Sequence, residues 1–163
     1  MRKLGAIMVG AVFLLSACSS SPEPLPAPTA LPAVSVPEEL KDDAQQVELA
    51  QMELERFLTA NRQAAETDYA QDERARAYLS DSIPAQNDYL ELVQGDTWFS
   101  RAEEVDKPVI SAQVASFSPQ PHRPGNLAGL TFEVCYQGPN CVAVTLSKKS
   151  ADNWKVSAIK LQS

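Results

Sequence analysis

The 163-residue chain is predicted to be α+β, with N-terminal helices packed on a four-stranded antiparallel meander. Three observations predict it. Apolar residues recur at three- and four-residue steps from Leu40 to Ala65, as one buried helical stripe requires. After Pro108 the apolar period becomes alternating, which is the signature of strands. The stretches between those strands, "PQPHRPGN", "GPN" and "SADN", are short and made of turn residues, so neighbouring strands run antiparallel. Helices that precede strands, rather than alternating with them, define the α+β order.

Taken in order, the chain opens with Arg2 and Lys3 and then an apolar run from Leu4 to Leu15. About twelve apolar residues fit the core of an export signal and fall short of the roughly 20 that span a bilayer. Ser16 and Ala17 stand before Cys18. Leu15-Ser16-Ala17-Cys18 resembles the lipobox of bacterial lipoproteins, whose cysteine receives a diacylglycerol and becomes the N-terminus after cleavage. An ordinary cleaved signal would leave the place of the cysteine to chance. The resemblance implies a signal peptide over residues 1–17, fatty-acyl groups such as palmitate on Cys18, and a lipid bilayer as the first partner. Ser19 stands where similar inner-membrane lipoproteins carry Asp, which implies anchorage in the inner leaflet of an outer membrane, facing the periplasm.

Residues 18–37 are expected to be the acylated cysteine and a tether. Half of the 12 prolines lie here, at Pro22, Pro24, Pro26, Pro28, Pro32 and Pro37. Proline fixes φ and donates no backbone hydrogen bond, so the run favours extended polyproline II. At ~3.1 Å per residue, the stretch Ser19–Pro37 could reach about 60 Å. Residues 38–163 are expected to form one domain, large enough to bury roughly two thirds of its unfolded surface.

Pro37-Glu38-Glu39 opens the first helix with acids where the helix dipole favours them. Leu40, Val47, Ala50, Leu54, Phe57, Leu58 and Ala65 make its buried stripe, and Glu48, Glu53, Glu55 and Arg62 fall on its wet side. A second helix is predicted over Asp68–Leu79, and a shorter one over Asn87–Leu92, ended by Gly95. Strands are predicted over residues 109–118, 127–137, 141–149 and 154–162.

Two signals fix one register for the middle hairpin. If Cys135 faces Cys141, then Val134 faces Val142, Phe132 faces Val144, and Leu130 faces Leu146. The opposite face then carries Thr131 with Thr145 and Glu133 with Ala143, and a one-residue slip would break the agreement. Continuing the pattern would set Leu146 against Trp154 and Val144 against Val156. In an exported chain, Cys135 and Cys141 are expected to form a disulfide rather than remain free thiols. Structural zinc takes four ligands, and two thiols with one histidine do not supply them.

No residue constellation specifies a reaction, so no catalytic residue, cofactor or metal is expected. His122 lies in a proline-rich turn without an evident acid, base or metal partner. The charge is asymmetric. Residues 38–106 hold 18 acids and 6 bases, net −12, whereas 107–163 hold 2 acids and 6 bases, net +4. The two halves can neutralise each other within one fold, or steer a charged partner. So acidic a chain is not expected to bind nucleic acid.

The helical opening "FLTANRQAAETDYAQ", the "YLSD" after it and the closing strand "WKVSAIKL" resemble, in their order, the cone-shaped nuclear transport factor 2-like and cystatin-like folds. The resemblance implies a cone-like domain in which Tyr69, Tyr78, Trp98 and Phe99 could line the interior, although aromatics at these spacings also serve as plain core. It transfers no catalytic residue. The expected role is a non-catalytic binding or assembly module of the cell envelope with an envelope protein as partner. A small-molecule binder or isomerase-like enzyme using the cone interior, and an accessory subunit of a secretion or transfer machine, are the alternatives.

Overall fold

The computed structural model describes residues 29–66, 98–120, 126–150 and 153–162. Helical winding starts at Glu38, directly after Pro37, as a 3-10 segment Glu38–Asp43 that runs into the helix α1, Ala44–Glu66. The expected stripe is its buried face: Leu40, Val47, Ala50, Leu54, Phe57 and Leu58 are all at most 3% exposed. The predicted helices over Asp68–Leu79 and Asn87–Leu92 lie outside the described residues. The chain is next described at a 3-10 turn, Trp98–Ser100, and a single helical turn α2, Ala102–Val105.

Four strands follow: β1 (Val109–Pro119), β2 (Leu127–Tyr136), β3 (Cys141–Ser150) and β4 (Asn153–Gln162). They form one antiparallel sheet in the order β1-β2-β3-β4, a meander with α1 packed on one face. The α+β class therefore holds. The β2–β3 register is the predicted one, with Cys135 opposite Cys141, Val134 opposite Val142, Phe132 opposite Val144 and Leu130 opposite Leu146. Phe132, Val134, Val142, Val144, Leu130 and Leu146 are completely buried beneath the helix.

The β3–β4 register differs from the expectation. Leu146 pairs with Val156, Lys148 with Trp154 and Val144 with Ile159, and the register shifts between Thr145 and Leu146. The strands run closer to the turn than predicted, so Ser150 pairs with Asn153. Near the turn this is a two-residue slip, which keeps every side chain on its face. Trp154 and Val156 accordingly remain in the core, at 2% and 0% exposure.

Glu53 and Asn61 of α1 are polar yet buried, although Glu53 is expected on the wet side. Glu53 is buried, and its carboxylate meets the Lys155 ammonium of β4 at 3.1 Å and the Arg56 guanidinium at 3.6 Å. A buried carboxylate must be paired, and Lys155 comes from the basic half of the chain to do it. Asn61 is fully buried and donates from Nδ2 to the Phe99 carbonyl at 3.1 Å, which fastens the Trp98–Ser100 turn to the helix.

Candidate interaction surface

The disulfide end of the sheet is built from the β2–β3 turn. Cys135 and Cys141 are bonded, with Cα atoms 4.1 Å apart. Within the loop Gly138 adopts φ 117°, a conformation that glycine reaches without strain. Tyr136 N–H donates to the Asn140 carbonyl at 3.0 Å, and Gln137 N–H donates to the Pro108 carbonyl at 2.9 Å. Asn140 Nδ2 and Lys107 Nζ both donate to Glu104 Oε2, at 2.8 and 2.6 Å. The Lys107 hydrogen bond, helped by Asn140 and Arg101, holds the Glu104 carboxyl below its ordinary 4.5 against the opposing effect of burial. This end is thus pinned three ways: by sulfur, by backbone and by a charge-assisted pair.

Behind it lies an aromatic group. Trp98 packs edge-on against Phe99 and Tyr136, each with centroids 5.5 Å away, and Phe57 stands 6.3 Å from Phe99. Burial pushes the Tyr136 phenol well above its ordinary range, although Arg62 opposes the shift. Trp98 and Phe99, the two described candidates for a cone lining, are therefore buried core residues, at 7% and 0% exposure. Tyr69, Tyr78, His122 and Cys18 lie outside the described residues.

The sheet face away from α1 is polar and satisfies itself. Thr131 and Thr145 hydroxyls meet at 2.9 Å, Ser147 donates to Ser157 at 2.6 Å, and Gln113 donates to Glu133 at 2.5 Å. Sequence reasoning foresees this wetter face from the Thr131–Thr145 pairing.

The edge of β1 is different. Its sequence, "VISAQVASFSP", carries no charge, and its residues from Ala115 to Pro119 are all exposed. Four large apolar side chains among the described residues are more than a third exposed, and three of them, Val36, Ile110 and Phe117, belong to β1 or to the segment beside it. That segment is Thr29–Pro37, the end of the expected tether. It is not a free spacer: Ser35 bridges β1 in parallel, donating to the Ala112 carbonyl at 3.2 Å and accepting from Val114 N–H at 3.0 Å. Leu31 and Val34 pack against the core, and Thr29 N–H donates to the Thr59 hydroxyl of α1. Residues 29–37 of the expected tether thus contact the domain. The proline content masked two apolar anchors.

The fold defines a small α+β module with one clipped, rigid end and one uncharged sheet edge. No family model, curated protein or solved structure matches the chain. Among the described residues no group of three acids, cysteines or histidines could hold a metal ion, and no helix is long and apolar enough to cross a membrane.

Proposed function

We propose that the chain is an exported lipoprotein, anchored through acylated Cys18, whose α+β domain is a non-catalytic binding or assembly module facing the periplasm. The observation that carries this reading is the order Arg2-Lys3, apolar Leu4–Leu15, then Leu15-Ser16-Ala17-Cys18. Ser19 favours the outer membrane. Two features of the domain support the reading. The Cys135–Cys141 bond fits an oxidising compartment. The clustered charges, Glu53 with Lys155 and Glu104 with Lys107, are committed to one another, as suits a scaffold more than a reacting site. The long helix followed by a meander supports kinship with the cone-shaped folds as a proposal about ancestry, not activity.

The test compares wild type with Cys18→Ser. Acyl-label incorporation and sedimentation with membranes are expected for the wild type alone, because single chains anchor only marginally and the several chains on a lipobox cysteine make attachment durable. Label in the Cys18→Ser protein, or undiminished sedimentation, would remove the anchor. Site-specific crosslinking from exposed positions in intact cells then tests the module, with one discrete envelope protein as the expected capture.

A further inference from the structure

The geometry points to an autoinhibitory strap: Thr29–Pro37 is a releasable guard that keeps the uncharged edge of β1 from pairing with β1 of a second copy. The inference stands on the described contacts and does not depend on the anchor. A sheet edge presents outward N–H and C=O groups that template another strand unless charge, distortion or cover prevents it. Along β1 charge is absent, and the register shifts near Ile110, near Ala115 and at Ser118–Pro119 leave Ala112–Val114 regularly paired with β2. Cover is supplied at one place, where Ser35 occupies the Ala112 carbonyl and the Val114 N–H.

The strap is built to hold weakly. In a parallel ladder the next donor after Ser35 would be residue 37, aimed at the Val114 carbonyl. Pro37 has no N–H to give, so pairing ends after a single bridge. Of the strap residues, Ala30, Ala33, Ser35 and Val36 are exposed, and Leu31 and Val34 are only partly buried. Two backbone hydrogen bonds to β1, the hydrogen bonding of Thr29 to Thr59 and two partial apolar contacts lie at the low end of local opening energies, far below the cost of unfolding the sheet. Release uncovers Ala112 and Val114 between the already exposed Ile110 and Phe117. Two such edges can meet about a two-fold axis without charge repulsion, which two copies of the lysine-bearing β4 could not do.

The experiment uses the exported chain carrying Cys18→Ser, which removes acyl- and thiol-driven association. Adding Val34→Asp and Ser35→Pro takes away one strap donor and one apolar contact. At dilutions where this released protein is still monomeric, the Val114 amide should exchange about tenfold faster or more, consistent with losing the strap's hydrogen bonds, while the Val134 and Val144 amides keep their protection. In sedimentation, the released protein should dimerise at concentrations where the parent is monomeric. Phe117→Lys in the released background should restore the monomer. Unchanged Val114 exchange, a released protein that stays monomeric, a parent already dimeric, or a dimer indifferent to Phe117→Lys would each overturn the guard. Should the released protein not fold, the parent alone decides. Val114 exchange should then depend little on low denaturant, as in local opening, whereas a slope equal to that of Val144 would mean the strap leaves only on global unfolding.

Discussion

The two edges of the sheet solve the same problem by different means. On β4, Lys155 and Lys160 put charge along the strand, and Lys155 is also locked onto buried Glu53. On β1 there is no charge at all, and Ser35 of the chain's own N-terminal segment lies beside it. The β4 edge is protected by its own side chains, so its protection can be lost only by mutation. The β1 edge is protected by a separate piece of chain, so its protection can be lost by motion. An edge that is covered rather than charged keeps the option of being used.

The largest expected effect comes from the protected edge. Trp154→Ala removes a core side chain 2% exposed, on which Lys148 lies with Nζ 5.9 Å from the ring centroid. Urea unfolding should register a loss of ~3–5 kcal/mol, against roughly 1.5–3 kcal/mol for Val114→Ala on β1. Equal losses would mean that β1 is seated as firmly as β4.

Next comes the clip that both middle strands share. Cys135→Ser opens the Cys135–Cys141 loop and should lower stability by about 2.4 kcal/mol in the chain-entropy model. Wild type measured with reductant should match it. A variant whose loss vanishes under oxidising conditions would show that the bond contributes nothing in the folded chain.

Lys155→Ala attacks the charge protection of β4 directly and leaves Glu53 with Arg56 alone, at 3.6 Å. A cost of ~1–3 kcal/mol is expected from a buried carboxylate that loses a partner. The double change Glu53→Leu with Lys155→Met should recover most of it, because replacing a buried pair by apolar residues is often neutral. Failure of the double variant to recover would assign Lys155 a role beyond pairing.

The smallest effect sits where β1 begins. The Glu104 carboxyl titrates below its ordinary value in the folded chain, chiefly through Lys107. A depressed carboxyl contributes stability above its unfolded value and loses it as pH falls through the folded one. The stability difference between wild type and Glu104→Gln should therefore favour wild type near neutrality and shrink in acid. Denaturation at both ends of that range, with a difference that stays constant, would remove Glu104 from the acid response of this end.

What could be read from the sequence follows the same physical divide. The stripe from Leu40 to Leu58 and the β2–β3 pairing were legible because local period and the Cys135–Cys141 match agreed. The β3–β4 pairing was not, because alternation reports only which face a residue occupies. A two-residue slip leaves Trp154 and Val156 on the same face and is invisible to it. Glu53 and Asn61 escaped for another reason: their burial is decided by Lys155 and Phe99, which lie far along the chain. Leu31 and Val34 carry too short a pattern among prolines to announce a docked strap.

The position of Ser35 has one more consequence, for altitude. Were the domain tied to a bilayer through Cys18, as proposed, holding it from Thr29 onward would leave residues 19–28 to span the distance, about 31 Å if they took polyproline rise. With Thr29–Pro37 detached, the same rise over residues 19–37 gives about 59 Å. The gap between the two heights is close to the width of a small domain. If the proposed anchor holds, the Ser35 bridge to β1 and the Thr29–Thr59 contact would decide between the two heights.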